Sequence, residues 1–211
     1  MIFQNIIYKN FFLNSLILLI PVSYIAGNLV FNLNIVILIL SILFFFGRDI
    51  FKVKFNRTDI IVLLIFGYIF LNGIYNQFFN FSFPEPKFSH NVLIKSIFYF
   101  RFFILYFGLK FLIKKNIINF KYLFYVYSLC ALFVCVDLIF QYKFGVDFFG
   151  YEGNNRRLSG PFGDELIAGS YVQRFFIFSL FSIILYTNFK NKLSNNLLIL
   201  IILIISAVGI L

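Results

Sequence analysis

The sequence predicts an all-α fold, a polytopic transmembrane helical bundle of about seven membrane segments with the last one truncated. Three observations predict it. Of 211 residues, 62% are hydrophobic and only 12% are charged. The apolar residues come in unbroken blocks, without the three-to-four spacing of a surface helix or the alternation of a strand. The basic residues collect in every second gap between blocks. A chain crossing about 30 Å of hydrocarbon must satisfy its own backbone hydrogen bonds, and roughly 20 apolar residues in a helix do so.

In order, the segments are Phe11 to Val30, Phe31 to Phe46, Ile60 to Tyr75, Ser96 to Ile113, Phe120 to Phe140, Ala168 to Tyr186 and Leu197 to Leu211. Pro21 should kink the first, because it lacks an N–H and its ring meets the carbonyl one turn back. The second and third hold only about 16 residues each, so they stand upright or are flanked by snorkelling Lys and Arg. The last, about 15 apolar residues without a polar flank, covers only about 22 Å. It is expected to be the start of a longer protein, with residues 1–211 forming a single transmembrane domain at its N-terminal part.

A net charge of +10 would suggest nucleic acid in a soluble protein, but here the charges sort by loop. With the N-terminus inside, that side carries Lys9, Arg48, Lys52, Lys54, Arg57, Lys110, Lys114, Lys115, Lys121, Lys190 and Lys192 against Asp49 and Asp59. The outer loops, Asn76 to Lys95 and Gln141 to Ile167, mix both signs. This is the positive-inside pattern, and no nucleic-acid partner is expected. The first block lacks a small-residue cleavage site and reads as a retained helix. Cys130 and Cys135 share one segment without metal-ligand spacing and read as packing residues.

Charges inside membrane segments are costly and tend to be kept for a partner or ligand. Arg101, Asp137 and Arg174 are three such residues, each expected within roughly 10 Å of the outer interface. One reading makes Arg101 and Asp137 a structural ion pair, with Arg174 snorkelling outward. The other makes a cationic pocket, joined by Arg156 and Arg157 from the loop above, that suits a lipid phosphate or pyrophosphate. Gly153, Gly160, Pro161 and Gly163 turn that loop back toward the membrane. Asp164 is expected to cap the next helix, with Glu165 in its first turn; a general base or an anchor for a neighbouring Arg is the alternative. His90, the one His, reads as a solvated loop residue, and no metal or cofactor is expected. No phosphate-binding Gly loop, nucleophile elbow or metalloprotease motif is present.

The run Arg157-Leu158-Ser159-Gly160-Pro161-Phe162-Gly163-Asp164-Glu165-Leu166-Ile167-Ala168 resembles the signature before a core helix in the O-antigen ligase and O-antigen polymerase family of bacterial membrane glycosyltransferases. The stretch Asp137 to Gly150 and the Tyr99-Phe100-Arg101-Phe102 of the fourth segment are similar to that family as well. The resemblance covers roughly Lys95 to Arg174; the first three segments add only hydropathy. It implies an inner-membrane, multi-pass, inverting and metal-independent enzyme with a cytoplasmic N-terminus. That enzyme would move a glycan from undecaprenyl pyrophosphate to lipid A core or to another repeat unit in the periplasm.

In that reading the 141–170 loop is periplasmic, Arg157 is the catalytic arginine that meets the donor pyrophosphate, and Arg101 matches an arginine of the fourth helix. Arg156, Arg174, Asp137 and Glu165 complete the substrate-binding set. The implied partners are a polyprenyl-pyrophosphate-linked glycan, a lipid A core or glycan acceptor, and membrane lipid. Two departures stand out. Asp164-Glu165-Leu166-Ile167 replaces a Pro-Asn pair, and the family's later loop with its acceptor-activating His is absent, His90 lying elsewhere. The rival class is a transporter or flippase passing an anionic lipid or solute through a pocket lined by Arg101, Asp137 and Arg174.

Overall fold

The computed structural model describes residues 2–78, 90–153, 158–163, 165–186, 199–201 and 203–204. The helices are α1 (Ile2–Leu18), α2 (Ile20–Ile25), α3 (Asn28–Phe46), α4 (Arg57–Phe78), α5 (His90–Lys114), α6 (Phe120–Phe144) and α7 (Ala168–Tyr186). Short 3₁₀ turns occupy Gly47–Lys52 and Gly160–Phe162. Among the described residues there is no strand, and six stretches are long and apolar enough to cross a membrane. The protein is an all-α, multi-pass membrane protein. Most of the seventh expected segment, Leu197 to Leu211, lies outside the described residues.

The spans outrun the apolar blocks that announced them. Helix α3 has 19 residues and α4 has 22, so neither is short. The polar residues Asn76 and Gln77 continue α4 beyond Tyr75 to Phe78, and α5 begins at His90. His90 is therefore helical, not a loop residue.

The chain divides into two compact units, residues 1–9 with 35–118 and residues 10–34 with 119–211. In the first, α4 and α5 run antiparallel, as the order of their contacts requires: Asp59 meets Tyr106 and Lys110, Phe66 meets Phe103, Phe70 meets Phe100, and Gly73 meets Ser96. The helices close up at Gly73, where a Cβ would stand 2.2 Å from Ser96 Oγ. At the other end Asp59, fully buried, accepts from Lys110 Nζ, from Tyr106 Oη at 2.7 Å and from the Asn56 amide at 2.5 Å. The last bond is half of a capping box and starts α4. Lys9 Nζ donates to the Phe45 carbonyl at 2.8 Å and lies 3.6 Å from the Phe46 ring centroid, a cation at a helix C-terminus where the dipole favours it.

The second unit pairs α6 with α7 through Tyr127, Phe124, Phe175 and Phe178. Pro21 does more than kink the first span: the helix breaks at Leu19 into α1 and α2. In a continuous helix the Ile17 carbonyl would accept from residue 21, and proline has no N–H to give. Tyr127 Oη donates to it instead, at 2.9 Å. Asn34 Nδ2 reaches the Leu16 carbonyl at 3.2 Å, and Tyr171 Oη the Pro21 carbonyl at 3.2 Å. A break at membrane depth is tolerable when neighbouring side chains take up its polar groups in this way.

Candidate functional site

The site read from the sequence is the polar connection between α6 and α7, all within the second unit. Helix α6 starts at an Asn119 cap, whose side chain accepts from the Tyr122 amide at 3.4 Å. It ends at Gly145 in the left-handed region, φ 80°, whose amide returns to the Gln141 carbonyl at 2.8 Å. This end lies beyond the expected Phe140. Asp137 thus sits seven residues before the last residue of α6, about 10 Å along the axis at 1.5 Å per residue.

The chain then doubles back over that helix end. Val146 and Glu152 form an isolated antiparallel bridge, and the Gly153 amide bonds the Gly145 carbonyl at 2.8 Å. Two buried carboxylates hold the turn between them. Asp137 Oδ1 accepts from the Phe148 amide at 2.8 Å. Asp147 Oδ1 accepts from the Phe149 amide at 3.0 Å and the Tyr151 amide at 2.6 Å. Consecutive amides are thus capped by two different acids. The second oxygen of each acid is buried with no hydrogen-bond partner among the described residues, so each keeps an acceptor for one more donor.

Gln141 fixes the other half of the loop. It is buried, with Oε1 accepting from the Gly160 amide at 2.9 Å and Nε2 donating to Ser159 Oγ and the Tyr151 carbonyl, each at 3.3 Å. Gly160 must be glycine on two counts: its φ is +55°, and a Cβ would lie 3.2 Å from Leu138 Cδ2. The Gly160–Phe162 turn then lays Phe162 on Tyr24 and Tyr171. Tyr24 also carries Arg174, whose Nη1 donates to Tyr24 Oη at 2.9 Å, while the guanidinium itself stays exposed.

The expected residues are distributed as follows. Asp137 and Arg174 belong to this unit, the first as a loop anchor and the second at the rim beside α2. Glu165 is exposed and does not stand in the first turn of α7, which begins at Ala168; its carbonyl takes the Ile167 amide at 2.9 Å. Arg156, Arg157 and Asp164 lie outside the described residues. Arg101 belongs to the first unit and stands eleven residues into α5, about 16 Å from its start, which is deeper than the expected 10 Å because α5 starts early. Its guanidinium lies 4.9 Å from the Phe102 ring centroid. The described residues hold no group of three or more His, Cys, Asp or Glu that could bind a metal ion.

The sequence does not single out Gln141, Asp147 and Tyr24 for roles, although each contacts the loop. A glutamine within an apolar run, four residues before Gly145, was the available signal. No protein-family model, no curated protein and no solved structure matches the chain.

Proposed function

We propose that the chain works as the donor-side part of an O-antigen ligase-like or polymerase-like glycosyltransferase, moving a glycan from undecaprenyl pyrophosphate to lipid A core or to another repeat unit. The observation that carries this reading is the grip of Gln141 on Ser159 and Gly160. Within the run that resembles the family, Ser159 and Gly160 are braced by a buried side chain. A braced loop suits a site that must hold a pyrophosphate in place while its bond to the sugar breaks, since fixed donors cost no reorganisation at that moment.

In this reading Arg157 grips two phosphoryl oxygens with its planar fork, and Arg156 and the exposed Arg174 add positive charge at the rim. Arg101, Asp137 and Glu165 remain assigned to the site by the resemblance, Asp137 acting through the loop that it anchors. The proposed setting is the bacterial inner membrane, with a cytoplasmic N-terminus and the 141–170 loop in the periplasm. The test is glycan transfer in cells that depend on this protein. Arg157→Lys should lose on the order of 10² or more in rate at normal expression, with Arg156→Lys milder. Near-normal transfer by Arg157→Ala would remove the assignment.

The transporter reading draws on the break at Leu19, since discontinuous helices build ion and substrate sites in many transporters. Here the carbonyls of Leu16, Ile17 and Pro21 are already taken by Asn34, Tyr127 and Tyr171. They are engaged in structure, which favours the glycosyltransferase.

A further inference from the structure

The first unit has an open cavity of about 200 Å³ that the glycosyltransferase reading does not use. Its walls are apolar, with Ile39 and Ile42 from α3, Val53 and Phe55 from the segment after the 3₁₀ turn, and Phe103 and Phe107 from α5. Gly108 opens it, since a Cβ there would stand 3.0 Å from Ile42 Cδ1. A cavity with such walls holds hydrocarbon rather than water, which needs two to four polar partners.

The chain that forms one wall carries the opposite chemistry. Lys54 lies between the wall residues Val53 and Phe55 in sequence and is exposed, and Arg57 opens α4 three residues further on and is exposed too. Of the two acids nearest to them in sequence, Asp59 is already engaged by Lys110 and Asp49 acts on Lys9. Two exposed cations in the chain bordering a hydrocarbon-sized slot point to one ligand class.

We propose that this cavity binds an anionic phospholipid, with one acyl chain between α3 and α5 and its phosphate against Lys54 and Arg57. Arg can hold two phosphoryl oxygens at once, and Lys adds a point charge. Each basic residue near an anionic headgroup favours it about fivefold over a zwitterionic one, so two give a preference that an experiment can read.

The chain has no Trp, so a single introduced indole reports on one place. The full chain carrying Phe55→Trp would be reconstituted in vesicles doped with brominated phosphatidylglycerol or brominated phosphatidylcholine, and quenching compared. Ile104→Trp, on the same cavity, serves if Phe55→Trp does not fold; Leu64→Trp, exposed on α4, is the control. The anionic lipid should half-quench the cavity reporter at a mole fraction roughly 25-fold lower than the zwitterionic lipid, and the control equally with both. Adding Lys54→Gln and Arg57→Gln should remove the preference and leave quenching by the zwitterionic lipid unchanged. Equal quenching of the cavity reporter by both lipids, or none by either, would overturn the proposal.

Discussion

Each unit buries a carboxylate within a membrane-spanning helix, and the two are satisfied in opposite ways. Asp59 meets a cation, a phenol and the start of its own helix, all of which join α4 to α5. Asp137 meets a backbone amide of the loop that follows its helix, and Gln141, one turn on, does the same with both ends of its amide. The first arrangement fastens helix to helix. The second fastens a loop to a helix end, and it spends polar side chains where a purely structural connection could have stayed in solvent. Buried polar groups are costly unless satisfied, so their placement under one loop marks that loop as the part whose shape matters.

The largest effect should come from breaking the first arrangement. Asp59→Ala strands Lys110 beside an apolar helix and removes the cap of α4, so most folded protein recovered from membranes should be lost in detergent gel filtration. The double change Asp59→Asn with Lys110→Met should recover much of it, because removing both partners is milder than removing one. A single Asp59→Ala variant as stable as the parent would show that the pair does not hold α4 to α5.

Gln141→Leu should behave differently. It leaves the Gly160 amide without its partner, a cost of about 1–3 kcal/mol, and removes the bonds to Ser159 and to the Tyr151 carbonyl, which keeps the Asp147 amide. Limited proteolysis should cut the 145–163 region faster, and the melting temperature should fall by several degrees, less than in Asp59→Ala. If melting fell as far as in Asp59→Ala, the contrast between the units would collapse.

These differences also show what the sequence could reveal. The apolar blocks located every described span, because the hydrocarbon thickness imposes length directly. They missed the ends, where Asn76, Gln77 and His90 are helical although polar, since capping and neighbouring helices carry a span beyond its hydrophobic window. Pro21 announced the break because its cause is local. Asp59 reads as a loop charge in the sequence because its partner stands 51 residues away, and the anchoring role of Asp137 is hidden there because its bond to the Phe148 amide exists only once the loop has folded back.

The smallest predicted effect belongs to the helix break. Tyr127→Phe removes one hydrogen bond to the Ile17 carbonyl, worth about 1 kcal/mol, and should lower the melting temperature by a few degrees without exposing the loop to protease. Faster loop cleavage in this variant would mean that the break and the loop are one cooperative element.

That break also sets a clock. The donor to the Ile17 carbonyl, Tyr127, stands 110 residues downstream of it. At 5–20 residues per second a ribosome reaches Tyr127 roughly 5–22 s after Ile17. Through that interval the acceptor that Pro21 leaves empty stays unfilled, which hydrocarbon penalises and a protein-lined insertion channel does not. Release of the first span into lipid is therefore expected to wait for α6, which carries Tyr127.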